Sequence, residues 1–464
     1  MPPLSPTPGV ASPTLSPAPG VSPRAVLIAL VLFGGASLLV FALTNSPLVL
    51  ALLSLILCIA LAGYLGAQNL IGVFLALVPL QWLVIAYLQY QGVPGYKMIS
   101  ALKELFLVLM ILWCLYRSSR LSLTLPDLLL ATALLFVSFE QLFHTDPMGL
   151  RDDWEWVLPY MLGRLIMLSP KMQALWAKCA VWMCAVLAVV GAWEVLYLGP
   201  TPRLLLVNAA QGDTKLPPPF LATGYAGFRA ASTMVSPLAF SALCVVAIIL
   251  WWVYMKNPIP AILIGTGLVL TITRSAMVAA AVGVCVIAIR RKERFRIAVF
   301  GVVAVVGLLA AIPSLDLEQF VNRTFMAGGD LSIVGHQLSI VQGAKQMMER
   351  PLGLGAGTVG PRVLAGNPSA LNIENSYLSM AIQYGVVPAF LFAGFVAACF
   401  LRLYRLREPI GYAAFSILIG FGLLLGQGPL HLDLPLACWV WVPVGMGVAR
   451  ASQVESTATN VLDA

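Results

Sequence analysis

From residue 25 onward the chain alternates long apolar runs with short polar turns. Fourteen apolar segments stand out, roughly 25–44, 47–65, 69–89, 101–116, 126–143, 154–169, 173–197, 234–254, 259–273, 275–289, 297–312, 376–400, 410–425 and 435–449. Each reads as a helix that crosses, or nearly crosses, a bilayer. A crossing takes about 20 residues, so the shorter segments fit tilted or re-entrant helices, and about twelve to fourteen spans are expected. The segment 154–169 is the weakest, because it contains Pro159 and Arg164.

Composition agrees. The 464 residues are 60% hydrophobic and 10% charged, with a mean hydropathy of +0.92. A soluble domain carries about 25% charged residues, so a soluble enzyme, a disordered chain and a nucleic-acid binder are excluded. The fold class expected is an all-α polytopic membrane protein. Residues 1–23 are Pro/Ser/Thr-rich without apolar periodicity and read as a disordered cytoplasmic lead-in. The first apolar run lacks a small-residue cleavage site, so it reads as the first span and not as a cleaved signal peptide.

The formal charge of +8 is topogenic. With both termini in the cytoplasm, Arg24, Arg117, Arg120, Lys171, Lys256, the run 290–296, Arg402, Arg405, Arg407 and Arg450 all face inward, as the positive-inside rule requires. The outward loops 144–153, 199–233 and 313–375 are then the long ones. The expected division is 24–312 as an N-terminal bundle, 313–375 as a large periplasmic loop, 376–450 as C-terminal spans and 451–464 as a cytoplasmic tail. The eight Cys all lie in apolar stretches, and the three His are scattered, so neither a disulfide framework nor a metal site is expected.

The loop 313–375 is the richest in chemistry. Residues 334–349 read as one amphipathic helix, with Val334, Leu338, Val341, Lys345 and Met348 on one side and Pro351 as its stop. Such a helix fits either the bilayer surface or a lid over the bundle. PLGLGAGTVG follows, with glycines at 353, 355, 357 and 360. It has the context of neither a dinucleotide fingerprint nor a Walker loop. It is either an anion-holding turn of exposed amides or a plain turn. Glu374 precedes Asn375, Ser376 and Tyr377 at the start of the next span. An acid there is either a helix-start charge or a general base for a hydroxyl.

Arginines in apolar surroundings carry the strongest signal. Arg274 sits in LVLTITRSAMVAAAV, and Arg229 closes the loop 199–233. A guanidinium in hydrocarbon costs about 2.5–3.5 kcal/mol on insertion scales. With Arg323 these residues form a basic set at one membrane surface, suited to diphosphate oxygens through the paired donors of the guanidinium fork. Arg164 is expected to face the bundle interior and to pair with Glu140 or Glu194. Arg151, Asp152, Asp153 and Glu155 read as a solvated turn.

Taken together, TRSAM around Arg274, the long outer loop, P-x-G-x-G-x-G from Pro351 and the Asn-Ser-Tyr-Leu start at Asn375 resemble the O-antigen ligase and Wzy-type polysaccharide polymerase superfamily. The likeness covers about residues 200–400, and elsewhere it rests on topology. It implies a GT-C-like bundle in the bacterial inner membrane with a periplasmic active site. It implies a glycan donor on undecaprenyl diphosphate and an acceptor hydroxyl that attacks the anomeric carbon; the sequence shows no aspartate-rich pair, so neither a metal nor a cofactor is expected. By the same resemblance Arg229, Arg274 and Arg323 hold the diphosphate, and Asn375 and Tyr377 join the substrate site. The family's His-Asn falls on Glu374-Asn375, so the catalytic role passes to Glu374, with His336 as the alternative. That departure tilts the expectation toward a polymerase that extends lipid-linked repeat units, with a chain-length regulator as a further partner. The alternatives are a ligase that delivers finished glycan to lipid A core or protein, and a flippase of lipid-linked oligosaccharide. The flippase lacks the internal repeat that such transporters often show.

Overall fold

The computed structural model describes residues 67–92, 96–117, 123–140, 151–205 apart from 152 and 167, 229–293 apart from 235, 331–359, 373, 375–426 and 433–462. The chain divides into two compact units, 1–73 and 74–464. Among the described residues the regular structure is helical throughout. Five stretches are long and apolar enough to cross a membrane: Gln68–Tyr90, Pro170–Leu198, Pro237–Tyr254, Val386–Arg405 and Leu434–Thr457. Leu125–Phe139, Ile259–Leu270 and Pro409–Leu425 are apolar but shorter. The chain is a multi-pass membrane protein of all-α architecture. The expected segments 25–44, 47–65 and 297–312 lie outside the described residues.

In chain order the helices are α1 (Ala67–Leu77), α2 (Gln81–Tyr90), α3 (Tyr96–Arg117), α4 (Leu125–Glu140), α5 (Val157–Leu165), α6 (Pro170–Trp193) and α7 (Pro237–Tyr254). They continue as α8 (Ile259–Leu270), α9 (Arg274–Arg291), α10 (Leu331–Glu349), α11 (Ser376–Tyr384), α12 (Val386–Arg405), α13 (Pro409–Leu425) and α14 (Leu434–Leu462). Local chemistry sets several starts. Ser169 caps α6 by accepting from Met172 N at 3.3 Å, and Ser236 caps α7 by accepting from Ala239 N at 3.1 Å. Proline follows each cap, where its missing N–H is harmless.

α7 is the hub. Fifteen of its eighteen side chains are buried, and α6, α8, α9, α13 and α14 pack around it. A helix apolar on every side is one that is enclosed. Small residues bring neighbouring backbones close. A Cβ on Gly163 of α5 would lie 2.3 Å from Val442 O of α14, and one on Gly445 would lie 2.4 Å from Tyr160 O. These two helices therefore cross backbone to backbone, as small residues allow in membranes.

Two expected segments are redrawn. The stretch 154–169 yields only the nine-residue α5, because the chain turns extended at Ile166. The stretch 376–400 is two helices broken at Gly385, whose φ is +87°. Arg164, buried at the end of α5, is held by Asp127 of α4, and not by Glu194. Its Nε and Nη2 donate to the two Asp127 oxygens at 2.9 and 2.7 Å, with Tyr160 Oη and Thr124 Oγ1 as further donors. The other expected partner, Glu140, has a side chain outside the described residues.

The supposed solvated turn is also corrected. Asp153 and Glu155 are buried. Asp153 accepts from Tyr384 Oη at 2.7 Å, and Lys103 lies 4.0 Å from Glu155 and 3.6 Å from Glu104. Lys103 of α3 and the Tyr384 hydroxyl of α11 stand beside these carboxylates where water was expected.

Candidate functional site

Arg229 opens the non-helical strip 229–234, which leads into α7. It lies against the tight turn between α8 and α9. Arg229 Nε donates to Thr271 O at 2.7 Å, and Nη2 donates to Thr273 Oγ1 at 2.8 Å. The turn holds Ile272 in the left-handed region, at φ +52°. Ala230 N donates to Leu270 O at 3.0 Å, so strip and turn are stitched together.

Arg274 is the first residue of α9 and is exposed. Burial, followed by the repulsion of Arg274, pushes the Arg229 guanidinium well below its ordinary value, down to about 10. Two like charges thus lie close enough to repel near the start of α9, whose dipole adds positive potential. Thr273 precedes α9 without capping it through its side chain; its hydroxyl donates to Thr271 O and accepts from Arg229. An anion bound there would relieve the repulsion and meet the helix end.

α13 packs against α9 and runs antiparallel to it. A Cβ on Gly283 would lie 3.6 Å from Ser416 O, and one on Gly420 would lie 3.4 Å from Ala279 O. Both helices rise at the same pace per residue. Continuing this register puts the end of α13, at Leu425, level with Arg274. At that end Asn375 Nδ2 donates to Gly426 O at 3.4 Å, and Tyr377 Oη donates to Gly422 O at 3.3 Å. Asn375 Oδ1 accepts from Tyr377 N and Leu378 N and so caps α11. Asn375 and Tyr377 therefore sit at the arginine end of the bundle, with polar groups tied to backbone.

The glycine stretch is a clasp. Leu354 N and Gly355 N donate to Ile382 O and Gln383 O at 2.8 and 2.9 Å, and Val386 N donates to Pro351 O at 3.0 Å. Gly357 N donates to Gln383 Oε1 at 2.7 Å. The amides of Leu354, Gly355 and Gly357 are spent on the break between α11 and α12, so of the two readings the plain turn fits these three.

α10 packs Ser339 and Gly343 inward, with Gly343 against Leu378, Ile373 and Ile382. Leu338, Val341 and Met348 face away from the protein. His336 belongs to this helix, but its side chain lies outside the described residues. Arg323 and Glu374 also lie outside them.

Sequence reasoning missed the pair that underlies Arg229. Glu194 and Arg203 are both buried and joined at 2.8 Å. A Glu nine residues before an Arg carries no motif. The only cue was that both are charged residues beside an apolar run.

Residues 259–393 match the O-antigen ligase family model (Wzy_C), and no curated protein matches the chain. The matched stretch holds Arg274, His336, the glycine clasp, Asn375 and Tyr377, while Arg229 precedes it. The chain is thus a multi-pass membrane protein whose residues 259–393 are similar to the O-antigen ligase family, a likeness that supports an enzymatic, glycan-transfer role in general terms.

Proposed function

We propose that the protein is a periplasm-facing ligase, which moves a glycan from undecaprenyl diphosphate to a hydroxyl of lipid A core or of a protein. The observation that carries this is the Arg229–Arg274 pair at the start of α9, with Arg274 inside the matched stretch. The acceptor oxygen bonds to the anomeric carbon, the bond from that carbon to the diphosphate oxygen breaks, and the lipid diphosphate leaves with the electron pair. The hydroxyl proton passes to a base, for which Glu374 is the first candidate and His336 the second. The guanidiniums stabilise charge that grows on the leaving diphosphate, which is where preorganised donors count most. Arg323 is a third candidate for that task.

The family match favours the ligase over the polymerase, the leading expectation from sequence. Glu374 in place of the family's histidine is the one observation that favours the polymerase. Purified protein in liposomes, given lipid-linked glycan and lipid A core, separates the two. Intact glycan on lipid A core supports the ligase. A ladder that stays on undecaprenyl diphosphate overturns it, and translocation without transfer points to a flippase. The facing is tested by labelling Gly366→Cys in intact spheroplasts, where reaction only after permeabilisation reverses the orientation.

A further inference from the structure

Glu194 ends the long α6 in a π-helical turn, Glu194–Leu198, closed by Gly199 at φ +67°. Single π turns cluster at functional places because they re-aim side chains. Here the turn presents a buried carboxylate to the strip that begins with Arg229. Glu194 Oε2 accepts from Ser232 N at 2.8 Å and from Ala231 N at 3.3 Å. Its other oxygen accepts from Arg203 Nε at 2.8 Å. Arg203 in turn donates through Nη1 to Met234 O at 3.1 Å and through Nη2 to Ser232 O, and it lies 4.9 Å over the Trp82 ring.

The pair therefore takes up both donors and acceptors of one short strip. That strip needs holding. Ser232 is left-handed, at φ +52°, an unfavourable conformation for a residue with a Cβ. Its hydroxyl donates to Leu187 O at 2.7 Å, and Thr233 Oγ1 donates to Pro79 O at 2.9 Å. Arg229 is the next residue but one before Ala231, so the angle at which its guanidinium meets Thr271 and Thr273 follows from how the strip is pinned.

We infer that Glu194 and Arg203 are positioning residues, which fix the 229–234 strip so that Arg229 is presented beside Arg274 as half of a diphosphate site. This rests on the diphosphate reading of the two arginines.

The test is a double-mutant cycle on binding of undecaprenyl diphosphate to the full-length protein in detergent, with melting temperature followed in parallel. Glu194→Gln keeps shape and one acceptor but loses the ion pair. A misplacement of about 1 Å is worth on the order of 10²-fold at a reacting centre, and a binding loss on the order of 10-fold is expected here. The same loss should vanish in the Arg229→Ala background, because Glu194 acts through Arg229. Equal losses in both backgrounds, or wild-type affinity in Glu194→Gln while Arg229→Ala binds weakly, overturns the positioning role and leaves the diphosphate reading standing. Wild-type affinity in Arg229→Ala and Arg274→Ala overturns the diphosphate reading itself. If Glu194→Gln does not fold, Arg203→Lys, which keeps the charge and loses the fork, replaces it in the cycle.

Discussion

Gly353 and Gly385 face each other across the break between α11 and α12. A Cβ on Gly353 would fall 2.5 Å from Gln383 O, and one on Gly385 would fall 2.8 Å from Leu352 O, with φ at +97° and +87°. Gly385→Ala should therefore destabilise by about 1–3 kcal/mol through backbone overlap and left-handed strain. Thermal melting in detergent checks this. An unshifted melting temperature means that the clasp is slack.

The Asp127–Arg164 pair predicts a different kind of loss. Removing one partner of a buried ion pair costs about 3–5 kcal/mol, because the other charge is stranded. Asp127→Asn should melt well below wild type. Asp127→Leu with Arg164→Met should recover part of the deficit, since it strands no charge, while Tyr160 Oη and Thr124 Oγ1 lose their acceptor. Equal melting of the single and double variants would mean that the network with Tyr160 and Thr124 matters more than the charges.

At the candidate site, Arg229→Ala and Arg274→Ala should each weaken diphosphate binding about 10–100-fold, the value of a hydrogen bond to a charged group. Lysine should restore only part of it, because a point charge lacks the paired donors. Lipid diphosphate titrations on folded, purified variants measure both effects.

The lowered Arg229 value gives a pH dependence with a definite sign. Below about 10 the group is charged, and the fold bears the cost of burying it beside Arg274. As pH rises above that value toward the ordinary guanidinium range, the unfolded chain still holds its proton while the folded one has released it. This group's destabilisation therefore eases with alkalinity, while diphosphate affinity falls over the same window. Affinity measured on the alkaline side should decline with a midpoint near 10 in wild type, and the Arg229→Ala variant should lack that step.

Glu374 gives the sharpest choice. As a general base it is worth about 10²–10⁴-fold in rate, so Glu374→Gln should bind donor and fail to transfer. As a helix-start charge it should change stability within about 1 kcal/mol and leave turnover near normal. Normal Glu374→Gln turnover with an inactive, folded, donor-binding His336→Ala would move the base to His336.

Much of this fold is legible because lipid imposes a simple rule on side chains. α6, α7, α8, α13 and α14 all start within three residues of the starts of their apolar runs. Arg274 stood out for the same reason, as a charge where none is welcome. What sequence could not show was pairing across distance. Arg164 finds Asp127 37 residues away, and charge alone offered Glu140 and Glu194 equally well. The break at Gly385 lies inside an unbroken apolar run, so hydropathy passed over it. Sequence left the glycine stretch open between an anion-holding turn and a plain one, because it does not reveal that Ile382 and Gln383 take the amides of Leu354, Gly355 and Gly357.

α7 has almost no surface left for lipid once the protein is complete, yet it emerges from the ribosome before α8, α9, α13 and α14 exist. During synthesis it stands in the bilayer with most of its future neighbours missing. Its uniform apolarity serves both periods, first as a stable solitary span and later as the axis on which later helices dock. A polar substitution on α7 would thus be felt twice, once at insertion and again at assembly. Biosynthetic yield should report such changes sooner than the melting of whatever protein matures.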